Sequence, residues 1–134
     1  MEINIPKIDK IIPIIVSIAS PEQIILFGSY ARGDNTGKSD IDLLILKKGL
    51  KKGREISGAI YKAFFENDIG VAVDLLTLDY NRYLEINNDI GYIYRTIKKE
   101  GKIIYDSLFG LKIQSTILKG QLNKYLTCTS QDDI

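Results

Sequence analysis

The sequence predicts a single domain of the mixed α/β (α+β) class, and three observations lead to this prediction. The chain has 134 residues, 45% of them hydrophobic, which is enough to build one core. Apolar runs of strand length occur at residues 24–27, 40–46 and 71–78. Between the last two runs, residues 55–67 carry apolar side chains at helical spacing. Strands and helices therefore follow one another along the chain, as they do in mixed α/β domains.

The first predicted element is a core-facing helix from Pro6 to Ala19, which ends at Ser20-Pro21. A secretory signal peptide is the alternative for this apolar stretch. Glu2 and Asp9 disagree with the positive start of such a signal, and Pro13 interrupts the apolar run. The run is also too short to span a bilayer, so no membrane association is expected.

A phosphate-binding turn is predicted after the first strand, which runs from Ile24 to Phe27. Gly28 lets the backbone approach a ligand closely, and Ser29 adds a hydroxyl donor. A short helix from Tyr30 to Arg32 follows, and the N–H groups of a first helical turn attract anions. We therefore expect Gly28 and Ser29 to bind the phosphates of a nucleotide.

Two aspartates open the second predicted strand, which runs from Asp40 to Leu46. Because side chains alternate along a strand, Asp40 and Asp42 project from the same face. Their Cα atoms are separated by about 6.6 Å, so the side chains can bracket two metal ions roughly 3.5–4 Å apart. Hard divalent cations prefer oxygen ligands of this kind. A lone Asp-x-Asp is more often a solvated strand end, but the preceding Gly-Ser turn favours a metal site.

These residues resemble the nucleotidyltransferases of the DNA polymerase beta superfamily, and within it the minimal nucleotidyltransferase (MNT) type. The resemblance lies in Gly28-Ser29, Ala31-Arg32-Gly33 and Ser39-Asp40-Ile41-Asp42, and at the level of the fold it covers Pro6 to Tyr105. It implies a palm domain that has a small mixed sheet and helices mainly on one face. It also implies magnesium-dependent transfer of a nucleoside monophosphate from a nucleoside triphosphate to a hydroxyl group. Many proteins of this type are antitoxins that pair with a HEPN-domain toxin.

Asp74 is a candidate third metal ligand, because it lies within an apolar strand predicted from Val71 to Leu78. A buried carboxylate needs a partner, and the resemblance implies a third carboxylate at this place. If this strand lies beside the strand of Asp40 and Asp42, all three side chains can surround the metal ions. The alternative role for Asp74 is a structural ion pair.

Basic residues near these motifs are candidates for binding phosphate or a partner. Arg32, and Lys38 in the polar loop from Asp34 to Ser39, could form charge contacts with a triphosphate. Arg32 could equally pair with a nearby acid. The run from Lys47 to Arg54 is typical of a solvated loop and helix start, and an acidic partner or RNA is the alternative.

The remaining elements complete the domain and extend beyond it. We expect a helix from Glu55 to Asn67, and a helical region from Asp79 to Glu100 in two segments, with Gly101 as its stop. A last strand from Lys102 to Tyr105 completes the nucleotidyltransferase domain at residues 1–105. Residues 106–134 form a C-terminal extension, predicted as one helix from Leu111 to Leu126 and a frayed tail.

Composition limits both the chemistry and the partners. The chain has no histidine, which excludes Ser-His-Asp triads, Cys-His pairs and histidine-ligated zinc sites. Eighteen basic and seventeen acidic residues give a formal charge of +1, so bulk charge gives no reason to expect a nucleic-acid partner. The single Cys128 cannot form an internal disulfide, which fits a cytoplasmic location.

Together these features predict an enzyme that holds two Mg²⁺ ions at Asp40, Asp42 and Asp74 and moves AMP from ATP to a protein hydroxyl. Because the palm extends to about Tyr105, too little chain is left to enclose a small acceptor, and a partner protein is the expected acceptor. The choice of ATP and of a tyrosine on a HEPN-type toxin rests on the resemblance, as does the antitoxin role in a complex with that toxin. Two alternatives remain, a non-catalytic toxin-binding module and an antibiotic nucleotidyltransferase that works as a dimer.

Overall fold

Helices and strands follow one another along the chain in the predicted mixed α/β order. The computed structural model describes residues 5–85, 92–108 and 110–111. The elements in these residues are α1 (Ile8–Ala19), β1 (Gln23–Phe27), α2 (Ser29–Arg32), β2 (Ile41–Lys47), α3 (Gly53–Glu66), β3 (Val73–Asp79), α4 (Tyr80–Glu85), α5 (Tyr92–Glu100), β4 (Lys102–Asp106) and β5 (Gly110–Leu111). The α/β fold class predicted from the sequence is therefore confirmed.

The strands form one mixed sheet in the order β3-β2-β1-β4-β5. β1 pairs antiparallel with β2 and with β4, and β4 pairs antiparallel with β5. β2 and β3 are parallel. The end of β1 therefore lies next to the start of β2, and β3 begins at the same end of the sheet. The three segments that carry the predicted motifs meet there.

Apolar side chains of the central strands alternate between two clusters, one on each face of the sheet. The larger cluster joins strand residues to α1 and α3, and its members include Ile8, Ile11, Ile12, Ile15, Ile24, Leu26, Ile41, Leu43, Ile45, Ile60 and Phe64. The smaller cluster joins the intervening strand residues to α4 and α5, with Ile25, Leu44, Leu46, Tyr83 and Ile97 buried. The prediction of helices mainly on one face agrees with α1, α2 and α3, which all contribute to the larger cluster. Because β1 and β2 are apolar on both faces, α4 and α5 cover the second one.

β3 is an edge strand, and this position corrects the expectation that Asp74 is buried. The strand begins at Val73, and all of its residues are half-buried or exposed. Asp74 is among the exposed ones. An apolar run does not by itself distinguish a central strand from an edge strand that packs on a helix.

The C-terminal prediction lies almost entirely outside the described residues. Of the helix predicted from Leu111 to Leu126, only Leu111 is described, and it belongs to β5. Because β5 pairs with β4, the sheet continues past Tyr105. The domain division at residue 105 and the role of the extension stay predictions. In the described part of the chain, no helix combines the length and the apolar character that a membrane span needs.

Asp79, the last residue of β3, ties the loop after β2 to the start of α4. Its carboxylate accepts backbone N–H groups from Gly49 at 2.7 Å, Leu50 at 3.2 Å and Arg82 at 3.0 Å. These bonds, led by that from Arg82, lower the pKa of Asp79 below its ordinary value. We expect Asp79→Ala to lower the melting temperature at neutral pH. Asp79→Asn, which keeps one acceptor oxygen, should lower the melting temperature less than Asp79→Ala does.

The effect of Asp79→Ala should depend on pH in a defined direction. A carboxylate whose pKa is lowered by folding stabilises the folded state above its unfolded-state pKa, about 3.9 for Asp. That contribution disappears as the pH falls through the folded-state value. The difference in melting temperature between wild type and Asp79→Ala should be complete at about pH 6 and smaller below about pH 4. An equal difference at both pH values would show that the carboxylate charge contributes nothing.

Candidate active site

Gly28 directly follows β1 and has a backbone conformation that only glycine adopts readily, with φ 77° and ψ −156°. A Cβ atom added here would overlap Asp42 Oδ2 and lie 3.0 Å from Asp42 Cγ. The sequence predicted that Gly28 allows a ligand to approach the backbone. In the structure, the absence of a side chain at Gly28 allows the Asp42 carboxylate to lie close to the Gly28 backbone. Gly28 therefore joins the predicted phosphate turn to the predicted metal site.

Ser29 begins α2, directly after this turn. The carbonyl of Gly28 accepts the N–H groups of Ala31 at 3.0 Å and Arg32 at 3.1 Å, which closes the first turn of the short helix. Ser29 is half-buried at the same end of the sheet as the carboxylates. Its hydroxyl group is therefore available, by position, to a phosphate that lies over Asp42.

The parallel pairing of β2 and β3 places Asp42 directly opposite Asp74. Neighbouring strands lie about 4.8 Å apart, and paired residues project from the same face. On the other side of β2, Asp42 pairs with Phe27 of β1, the residue before Gly28. Asp40 stands just before the first residue of β2. The structure thus places Gly28, Ser29, Asp40, Asp42 and Asp74 at the same end of the sheet, and their roles in binding stay predictions.

The three carboxylates repel one another, and the effect is visible at Asp42. Burial raises the pKa of the Asp42 carboxyl, and the negative charges of Asp74 and Asp40 raise it further. The positive charge of Arg32 opposes this rise. A cation between the carboxylates would remove the repulsion and favour the ionised form of Asp42.

The carboxylates supply oxygen donors of the kind that divalent cations prefer, although the side chains are not yet arranged around a common point. Among the described residues, no three His, Cys, Asp or Glu side chains are grouped closely enough to hold a metal ion. Asp40 and Asp74 are exposed, whereas Asp42 is half-buried. Exposed side chains can rotate towards a cation, and three oxygen donors suit Mg²⁺. Asp42 would be the fixed ligand, and its two neighbours would adjust.

Arg32 and Lys38, the two predicted phosphate-binding cations, have different surroundings. Arg32 Nε donates to Asp34 Oδ2 at 3.1 Å, and Nη1 lies 3.4 Å from Glu100 Oε1. These contacts, led by the hydrogen bond to Asp34, raise the pKa of Arg32. A triphosphate would compete with both acids for the guanidinium group. Lys38 is exposed in the loop before Asp40, where its backbone N–H donates to Thr36 Oγ1 at 3.2 Å.

Asp34 and Glu100 were not predicted from the sequence to border the site. Asp34 could have been found, since it lies two residues from Arg32. Glu100 lies 68 residues away, and only the folding of α5 next to α2 makes it a neighbour. No local pattern signals such a contact.

Ser29→Ala should weaken the binding of a nucleoside triphosphate. If the hydroxyl donates to phosphate, its loss leaves a charged group one donor short, which typically costs about 1–3 kcal/mol. A thermal-shift titration with Mg²⁺ and each nucleoside triphosphate measures this, since a ligand stabilises the folded state that binds it. Equal nucleotide-induced stabilisation in both proteins would make Ser29 a structural residue of the turn.

A protein-family model matches most of the chain. Residues 8–104 match the family model described as nucleotidyltransferase domain. A 25-residue segment is 72% identical to a candidate protein adenylyltransferase of Methanocaldococcus jannaschii, and the match spans 19% of this chain and 25% of that relative's length.

Solved structures show the same fold. A candidate nucleotidyltransferase from Sulfolobus solfataricus has a TM-score of 0.52 and 25% identity, with 76% of this chain and 79% of that one covered. A toxin-antitoxin structure with AMP-PNP has a TM-score of 0.54 and 22% identity. A double Asp-to-Glu variant of the toxin-antitoxin MntA-HpeT has a TM-score of 0.52 and 23% identity. Both cover 93% of this chain and 95% of the other, and at these identities the likeness concerns the fold. With the family match over residues 8–104, this chain belongs to the nucleotidyltransferase domain family.

Proposed function

We propose that this chain is a Mg²⁺-dependent protein adenylyltransferase that moves AMP from ATP to a hydroxyl of a toxin partner and thereby acts as an antitoxin. One observation carries the proposal. Asp42 and Asp74 are paired across β2 and β3, with Asp40 beside them and the Gly28-Ser29 turn directly against Asp42. A phosphate site and a carboxylate cluster in contact are what phosphoryl-group chemistry requires.

Each residue has a defined part in the proposed reaction. The turn at Gly28 and Ser29 holds the phosphates of ATP. Asp40 and Asp42 would hold the two Mg²⁺ ions, and Asp74 would complete the ligands of the ion on the acceptor side. Two Mg²⁺ ions, when bound, supply positive charge to the entering and leaving oxygens. The new bond joins the acceptor oxygen to the α-phosphorus and the bond to pyrophosphate breaks. Asp74 accepts the hydroxyl proton as the general base.

Arg32 and Lys38 are proposed to add positive charge near the triphosphate. The charge of Arg32 opposes the rise in the pKa of Asp42 that burial, Asp74 and Asp40 cause, so Arg32 acts within electrostatic reach of the carboxylates. Lys38 lies on the exposed loop that leads to Asp40. The side chains of Arg32 and Lys38 are exposed and lie outside the strands, so they can turn towards a bound triphosphate while the sheet stays as it is.

The exposure of the site supports a protein as the acceptor. Asp40 and Asp74 are exposed at the end of the sheet, and Asp74 belongs to its edge strand, β3. A partner that covers this end would exclude water and bring its own hydroxyl to the carboxylates. We propose that this partner is a HEPN-type toxin, that the hydroxyl belongs to a tyrosine, and that the reaction takes place in the cytoplasm.

The comparisons support the choice of ATP and of a toxin. The Methanocaldococcus jannaschii relative is named a candidate protein adenylyltransferase, and one structural neighbour is a toxin-antitoxin with AMP-PNP. In the MntA-HpeT variant, the two substituted aspartates are separated by one residue, as Asp40 and Asp42 are here. These properties belong to those proteins, and their transfer to this chain is the proposal.

The test is to incubate the purified chain with Mg²⁺, ATP and the protein encoded next to it, and to measure the intact mass of that neighbour. We expect an added adenylyl group, no modification when Mg²⁺ is chelated, and none with Asp42→Asn. A neighbour that is inhibited but unmodified would contradict the enzymatic proposal and favour a binding module. A neighbour that is neither inhibited nor modified would contradict the antitoxin role.

A further inference from the structure

Tyr61 of α3 contacts the edge strand beside the third carboxylate. Its hydroxyl oxygen accepts a hydrogen bond from the backbone N–H of Leu75, with 2.9 Å between nitrogen and oxygen. Leu75 is the residue that follows Asp74 in β3. The helix on one face of the sheet therefore fixes the backbone next to a residue of the candidate active site.

This contact matters because, among the described strands, β3 pairs only with β2. Ile41 N–H donates to the carbonyl of Ala72 at 2.9 Å, which sets the pattern of the parallel ladder. Backbone N–H groups alternate in direction along a strand. In this pattern the N–H of Asp74 points towards β2, and that of Leu75 points away from it. Tyr61 thus occupies a position that a further strand would fill in the interior of a sheet.

The ring of Tyr61 is itself held in place. It packs edge-to-face on Phe64, with 6.3 Å between ring centroids and an interplanar angle of 86°. Phe64 is 6% exposed and belongs to the larger apolar cluster. Its carbonyl accepts the N–H of Ile69 at 3.1 Å, which ties the end of α3 to the turn before β3. Tyr61, which is 41% exposed, therefore links the core to the edge strand through its ring and its hydroxyl group.

We propose that Tyr61 is a positioning residue for Asp74, holding the β3 backbone so that the Asp74 carboxylate stays beside Asp42. This inference rests on the proposed function, because it concerns the geometry of the metal-binding carboxylates. Asp74 is exposed on an edge strand, so the pairing with β2 is the only other backbone restraint described for it. Tyr61 supplies a second restraint from the opposite side of the strand.

The test compares Tyr61→Phe with Tyr80→Phe, which removes the same atom near the other end of β3. Mn²⁺ is titrated into each protein by calorimetry, and amide hydrogen exchange is followed at Leu75. Loss of an indirect restraint on a metal ligand typically weakens metal binding about 10-fold to 100-fold. We expect about a 10-fold weaker Mn²⁺ affinity and faster Leu75 exchange in Tyr61→Phe, with neither change in Tyr80→Phe.

A further pair of variants separates positioning from general stability. In an Asp74→Asn background, Tyr61→Phe should cause no additional loss of Mn²⁺ affinity, because the carboxylate that it positions is gone. Unchanged Mn²⁺ affinity in Tyr61→Phe, with wild type binding normally, would overturn this inference and leave the proposed function standing. An equal loss with and without Asp74 would also overturn it. Absence of Mn²⁺ binding in wild type would overturn both.

Discussion

Asp42→Asn is expected to abolish nucleotidyl transfer while leaving the fold intact. The substitution keeps the volume of the side chain and removes the charge of the one carboxylate that touches the Gly28 turn. Losing an electrostatic contact of this importance typically lowers the rate by about 10²–10³-fold. In the absence of metal, the variant should melt at a higher temperature than wild type. Burial and the charges of Asp74 and Asp40 disfavour the ionised carboxylate of Asp42. The asparagine side chain has no charge, so neither effect destabilises the variant.

Asp68→Asn provides a matched control for this variant. Asp68 is exposed in the turn before β3, at φ 52°, a conformation that Asn also tolerates. The activity and the melting temperature of the Asp68→Asn variant should equal those of wild type. Asp42→Asn with full activity would end the metal-site interpretation, and a large loss of its melting temperature would assign Asp42 a structural role.

Gly28→Ala is expected to damage both the fold and the site. The new Cβ atom would overlap the Asp42 carboxylate, and the backbone conformation at Gly28 is unfavourable for any other residue. Strain of this kind costs on the order of 1–3 kcal/mol, and overpacking costs about 1–3 kcal/mol more. Urea unfolding should therefore show a loss of about 2–6 kcal/mol in the free energy of unfolding. Transfer activity should be lost even below the unfolding transition, because Asp42 is displaced.

Gly58→Ala tests whether the effect is specific to position 28. Gly58 lies within α3, and an added Cβ atom there would meet nothing within 4 Å. Alanine is the better helix former, so this variant should be more stable than wild type by about 0.5–1 kcal/mol. If Gly28→Ala unfolds at the urea concentration of wild type, the contact between Gly28 and Asp42 is not a constraint on the fold.

The sequence was sufficient to predict the turn and the common face of Asp40 and Asp42, because both follow from local geometry. The two-residue period of a strand places Asp40 and Asp42 on one face, and the glycine marks the turn. Asp74 was predicted as a partner on a neighbouring strand, and the parallel pairing of β2 and β3 confirms this neighbourhood. Its exposure was not predicted, because strand order in a sheet is not encoded in any one run of residues.

Contacts between distant elements account for what the sequence did not predict. The close approach of the Asp42 carboxylate to Gly28 arises only when β1 and β2 pair in their observed register. The pairing of Arg32 with Glu100 requires α5 to end beside α2. The covering of the second sheet face depends on Tyr83 and Ile97, which are apolar residues in short, mainly polar helices. In each case, tertiary packing selects one of several partners that the local sequence allows.

The central claim is that Gly28, Ser29, Asp40, Asp42 and Asp74 form one site for a metal-bound triphosphate. Calorimetric titration of AMP-PNP into the protein, with Mg²⁺ and with the metal chelated, tests this claim most directly. We expect one AMP-PNP to bind per chain with Mg²⁺ present, and binding to weaken sharply with chelator, in Ser29→Ala and in Asp42→Asn. The claim would be contradicted if AMP-PNP bound with the same affinity with and without Mg²⁺, and with the same affinity to wild type, Ser29→Ala and Asp42→Asn.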